Sequence, residues 1–91
     1  MTLPRRIRIG GGVWRLRTLR RAPPALYGET DCERREITLA PKLPPATRAR
    51  TILHEALHAM IDESGLGAVP SIARHEERIV AALEAPLASF I

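Results

Sequence analysis

Residues 51–59 read Thr51-Ile52-Leu53-His54-Glu55-Ala56-Leu57-His58-Ala59, and the rest of the chain is best understood outward from them. At about 100° per residue, Ile52, Leu53, Ala56, Leu57, Ala59 and Met60 cover more than half the circumference of a helix. The pattern predicts a buried helix over about residues 45–64, with Pro44-Pro45 near its first turn and Gly65 where a helix stops. On such a helix His54 and His58, four residues apart, share one face, so their imidazoles can reach one zinc ion at about 2.0–2.1 Å each. Glu55 falls about 100° further round. There it does not compete as a ligand and can act as general base toward a water held by the metal. Chance would place HExxH in a chain of this composition about once in a hundred times. The helical context favours the metal reading over two ordinary histidines hydrogen-bonded to their neighbours.

A catalytic zinc usually takes three protein ligands and keeps one position open. Beyond the break at Gly65-Leu66-Gly67, a second helix is expected from Pro70 or Ser71, with Ile72, Ile79, Val80, Leu83 and Leu87 on one stripe and Pro86 kinking or ending it. It carries Arg74-His75-Glu76-Glu77-Arg78. With Ile72 at 0°, Glu76 falls at about 40°, Glu77 at about 140° and His75 at about −60°. Glu76 alone points into the middle of the apolar stripe, where an unpaired carboxylate would cost several kcal/mol that a divalent cation removes. Glu76 is therefore the expected third ligand. Glu77 and His75 are substitutes if the helix is rotated, and an ion pair with one of the arginines is the structural alternative for Glu76.

Toward the N-terminus the period changes to two. Arg6-Ile7-Arg8-Ile9, Gly10-Gly11-Gly12 and Val13-Trp14-Arg15-Leu16-Arg17-Thr18-Leu19 read as a β-hairpin with a glycine turn, Trp14, Leu16 and Thr18 sharing one face. Residues 21–33, with Pro23-Pro24 and Gly28, read as an irregular, mobile connection. Arg35-Glu36-Ile37-Thr38-Leu39-Ala40, ended by Pro41, is a third strand, placed at an edge. Tyr27 is a packed loop anchor or, less favoured, a phenol donating to an oxyanion.

Ninety-one residues make one domain, and 45% hydrophobic with 26% charged residues is globular composition. Residues 1–21 carry seven Arg, from Arg5 to Arg21, and no acid, so the net charge of +4 arises there. Such a cluster suits a polyanion, although alternation with apolar residues is also what a solvated strand face shows. The longest apolar runs fall far short of the roughly 20 residues that span a bilayer. The single cysteine, Cys32, cannot form an internal disulfide, which points to the reducing cytoplasm, and its acidic neighbours should keep the thiol neutral. No nucleophile triad or phosphate-loop signature competes with the histidine pair.

With these residues in place, the chain resembles the small gluzincin metallopeptidase domains of the ImmA/IrrE group, especially their minimal versions in phages and prophages. The resemblance covers nearly the whole chain. It runs through Gly28 with Thr30-Asp31, the strand Glu36-Ile37-Thr38-Leu39, the stretch from Thr51 to Ala59, and the acidic pair before a hydrophobic run in Glu76-Glu77-Arg78-Ile79-Val80. It implies a minimal zincin fold, zinc bound by His54, His58 and Glu76 or Glu77, and Glu55 as the base. The expected architecture is α+β: a three-stranded, mostly antiparallel sheet packed on the HExxH helix, with a second C-terminal helix closing the site. The expected activity is zinc-dependent hydrolysis of a peptide or protein. The alternative is a zinc-stabilised binding module whose Arg-rich hairpin binds nucleic acid or an acidic protein.

Overall fold

The computed structural model describes residues 6–90; Arg5, counted in the basic cluster, lies outside them. Alternation builds the first hairpin. Strand β1 (Arg6–Ile9) pairs antiparallel with β2 (Gly12–Thr18), Ile9 opposite Gly12, so Gly10-Gly11 form a two-residue turn. Ile7, Ile9, Trp14 and Leu16 point to the interior, while Arg6, Arg8, Arg15 and Arg17 are exposed.

The sheet has four strands, not three, and is mixed. Its order is β1-β2-β4-β3, where β3 is Gly28–Asp31 and β4 is Glu36–Leu39. β2 and β4 run parallel, with Leu16 beside Ile37, and β3 returns antiparallel along β4. The strand over residues 35–40 is thus central rather than at an edge. Ile37 and Leu39 are fully buried on one side, and on the other the buried Glu36 accepts a 3.1 Å hydrogen bond from Arg17. The edge strand beyond it, β3, lies within the segment expected to be irregular. Its Gly-Glu-Thr-Asp sequence has no apolar alternation, and backbone pairing to β4 makes it a strand.

Helix α1 (Pro45–Glu63) is sandwiched. Ala56 and Ala59 let it lie close on Ile9, Trp14, Leu16, Ile37 and Leu39. Its opposite face, Leu57 and Ile61 with the half-buried Leu53, meets Val80, Ile72, Ile79 and Leu87 of α2 (Pro70–Phe90). The C-terminal end of α1 is fastened to the sheet by Glu63, whose Oε1 accepts from Trp14 Nε1 at 2.8 Å and from Arg35 Nε at 2.6 Å. The indole bond first, and then Arg35, hold the Glu63 carboxyl below the usual carboxylate range. Gly65 takes the left-handed conformation, φ +81°, that ends the helix, and a 3-10 turn (Leu66–Ala68) leads into α2.

Pro86 does not end α2, which continues to Phe90. The bond that its missing N–H forfeits is the one to the Ala82 carbonyl, and both residues are exposed, so that carbonyl can turn to water. Among the described residues no helix is long and apolar enough to cross a membrane.

Candidate metal centre

His54 and His58 project from the middle of α1, their ring centroids 5.2 Å apart. Facing them, α2 supplies three carboxylates. Glu77 spans the pair, its Oε1 lying 2.8 Å from His54 Nε2 and its Oε2 2.9 Å from His58 Nε2. Behind the rings, Glu76 accepts from His58 Nδ1 at 2.6 Å and Glu84 from His54 Nδ1 at 2.7 Å.

This corrects the placement expected for Glu76. The carboxylate at the two Nε2 atoms is that of Glu77, and Glu76 reaches the other side of one ring. The reason is the rotation of α2. Its one fully buried residue is Val80, about 80° round from Ile72, while Leu83, at about 20°, is 43% exposed. Turning the buried face toward Val80 brings Glu77 and Glu84, at about 140° and 120°, to the histidines. His75 is exposed, and no hydrogen bond ties it to the cluster. Glu84 was not singled out from the sequence, although a signal existed: it stands seven residues from Glu77, a spacing that returns to the same face of a helix.

Glu84 is itself held by Arg50, whose Nη2 and Nε both donate to its Oε2, at 2.7 and 3.1 Å. The His54 contact first, and then Arg50, keep the Glu84 carboxyl low against the opposing effect of burial. Burial pushes the His54 imidazole down, but the bond to Glu84 and the charges of Glu55 and Glu77 outweigh it and hold that ring above its ordinary value.

Glu55, the expected base, is buried beside the pair. The Thr30 hydroxyl lies 2.7 Å from Glu55 Oε1 and 3.0 Å from its backbone carbonyl, and its single proton serves the nearer, charged oxygen best. β3 can come this close to α1 because Gly28 has no side chain: a Cβ there would lie 2.7 Å from Thr51 Cγ2, 3.1 Å from the Thr38 carbonyl and 3.3 Å from Glu55 Cγ. His54, Glu55, His58, Glu76 and Glu77 all border one cleft of about 360 Å³, with Glu29, Thr30 and Cys32 across from them. Burial, then the charges of Asp62, Glu76 and Asp31, push the Cys32 thiol up, as its acidic neighbours led us to expect. Tyr27 is 57% exposed and so is not the packed anchor expected of it.

His54, His58 and Glu77 can each present a donor atom such that all three lie within 4.8 Å of one another. Two imidazole nitrogens and a carboxylate oxygen form one of the ligand sets of catalytic zinc. Carboxylates on both Nδ1 atoms are the partners that orient metal-bound histidines and leave Nε2 for the ion. The donor set therefore fits zinc. Comparison with protein-family models, curated proteins and solved structures finds no match, so the functional reading stands on this geometry.

Proposed function

We propose that the chain is a zinc-dependent metallopeptidase of the gluzincin type, akin to the ImmA/IrrE domains, with His54, His58 and Glu77 as ligands and Glu55 as general base. The observation that carries this reading is the convergence of two Nε2 atoms and the Glu77 carboxylate, with both Nδ1 atoms anchored and a buried Glu55 alongside. Zinc held there supplies Lewis acidity toward a carbonyl oxygen and lowers the pKa of water. Glu84 and Glu76 keep the two imidazoles oriented with Nε2 toward Glu77. Thr30 occupies Glu55 Oε1, which leaves Oε2 to take a proton from water and pass it to the departing amine.

The substrate's backbone has a partner in β3. Ala40 N–H donates to the Tyr27 carbonyl, so the alternation of an antiparallel pair turns the main-chain groups of Tyr27, Glu29 and Asp31 toward β4 and those of Gly28 and Thr30 outward. An extended peptide added at that edge would lie along the cleft. β4, placed at an edge by the sequence, is paired on both sides and has no free edge to offer.

The binding-module alternative draws on the sheet's outer face, where Arg6, Arg8, Arg15 and Arg17 are exposed together. Glu36 offsets part of that charge, lying 3.1 Å from Arg17 and 4.0 Å from Arg15. A metal-holding module needs no carboxylate at position 55, and the separating experiment uses that residue. Glu55→Gln should keep zinc binding and fold but lose cleavage of a mixed peptide library, read by mass spectrometry, by at least about 100-fold. Equal cleavage by both proteins, or none by either when zinc-loaded, would refute the peptidase reading.

A further inference from the structure

The sheet packs its inner face on α1 and carries its basic charge on the other. Strand alternation places Arg6 and Arg8 of β1 and Arg15 and Arg17 of β2 on that outer face, all four exposed. The register sets Arg6 directly opposite Arg15, and Arg8 opposite Val13. Like charges so opposed, with Cβ atoms about 4.5–5.5 Å apart, weaken a strand pair. The compensation comes from the buried Glu36, beside Arg15 on β4, which lies 3.1 Å from Arg17 and 4.0 Å from Arg15. Among the described residues no carboxylate pairs with Arg6 or Arg8. Four guanidinium groups thus share one carboxylate, and a sequence that breaks a local rule in this way points to a partner that relieves the repulsion.

We propose that the outer face of the β1–β2 hairpin grips the phosphate backbone of a double-stranded nucleic acid, without reading its bases. The inference does not rest on the peptidase reading. His54 and His58 reach from α1 to carboxylates of α2, and α1 lies against the other side of the sheet, so both sites can be occupied together. The basic stripe is narrow, two strands wide and about 13 Å from Arg8 to Arg17 at 3.3–3.4 Å per residue. Beyond Glu36 and Thr38 the same face turns acidic at Asp31 and Glu29, which confines a polyanion to the hairpin. Guanidinium forks match paired phosphate oxygens. An acidic protein would need apolar or aromatic anchors at the centre of its footprint, and the apolar side chain that the hairpin exposes is Val13. A single strand would need aromatic rings for its bases to stack on, and Trp14 is fully buried on the inner side. Phosphates held without base contacts make the binding independent of sequence.

The test is the fluorescence anisotropy of a labelled mixed-sequence DNA duplex titrated with the full chain at several salt concentrations. With four phosphate contacts, the logarithm of the binding constant should fall against that of salt with a slope of about −3.6, a loss of about 100-fold from about 50 to about 200 mM. A duplex of unrelated sequence should bind equally. Arg6→Gln with Arg8→Gln removes two contacts and no ion pair, so the melting temperature should hold while the slope halves and the loss shrinks to about tenfold. Should that double variant not fold, Arg8→Gln alone should lower the slope by about 0.9. Arg74→Gln with Arg78→Gln removes the same charge from exposed positions on α2 and should keep the wild-type slope. No binding at the lowest salt, an unchanged slope without Arg6 and Arg8, or an equal decline in the α2 control would overturn the proposal. So would tighter binding of polyglutamate, which would make the partner an acidic protein, or of an oligothymidine, which would make it a single strand.

Discussion

Removing Glu77 and Glu76 one at a time separates the two readings of the α2 carboxylates. Structural zinc sites bind with about 10–16 kcal/mol over four ligands, so one ligand is worth about 2.5–4 kcal/mol, or roughly 10²–10³-fold in affinity. Glu77 touches both Nε2 atoms, at 2.8 and 2.9 Å, and Glu77→Ala should show that full loss. Glu76 touches only His58 Nδ1, at 2.6 Å, and loss of such an orienting partner costs roughly 10–100-fold. Because those ranges adjoin, the amide variants decide. Glu76→Gln keeps an oxygen that accepts from the Nδ1–H and should recover most of the affinity, whereas Glu77→Gln loses the anionic ligand and should resemble Glu77→Ala. Competition of each purified variant against a chromophoric zinc chelator at constant pH gives the four affinities, with metal-free melting curves as the folding control. If Glu76→Ala is the weaker binder and Glu76→Gln does not rescue it, Glu76 is the ligand and the α2 rotation derived from Val80 is wrong.

Two further outcomes follow from the packing. Gly28→Ala should destabilise the chain by about 1–3 kcal/mol, the usual cost of overpacking, because the added methyl meets Thr51 and the Thr38 carbonyl. Urea denaturation reads this, and an unchanged midpoint would show that β3 does not rest on α1 as described. Glu63 has a depressed folded pKa, so its stabilisation is complete above the unfolded carboxylate value of about 4.3 and is lost as the pH falls through the folded value. Glu63→Gln should therefore lose less stability than wild type as the pH falls from neutral through that range, and parallel stability–pH curves would contradict the Trp14–Glu63–Arg35 linkage.

What could be read from the sequence was local. The HExxH helix, its stop at Gly65, the Gly10-Gly11 hairpin and the inward face of Trp14 and Leu16 follow from periodicity and turn chemistry within about twenty residues. The β3 strand was hidden because Gly28-Glu29-Thr30-Asp31 has no apolar face, and its partner, β4, is fixed by pairing rather than by composition. The central place of β4 was hidden for the same reason: its parallel alignment with β2 joins segments some twenty residues apart. The choice between Glu76 and Glu77 turned on a helix rotation of roughly 60°, smaller than the angular step between successive residues. Five apolar residues on α2 outlined a plausible stripe, but only contact with Leu57 and Ile61 selects Val80 as its centre.

The division of labour around the two histidines bears on how the protein could assemble and be rebuilt. Every group at the imidazole nitrogens, from His54 to Glu84, lies on one helical hairpin closed at Gly65, whereas the contact that steadies Glu55 comes from Thr30 in the sheet. On the proposed metallopeptidase reading, ion capture would depend on short-range chain closure, and proton handling on long-range strand pairing, which is the slower kind of contact to form. During folding the hairpin could trap its ion before the edge strand docks. An inserted copy of residues 45–90 in another scaffold would carry the ligands but not the polished base. Lesions in β3 should likewise blunt turnover while leaving metal uptake nearly untouched, a separation of phenotypes that a single rigid site would not allow.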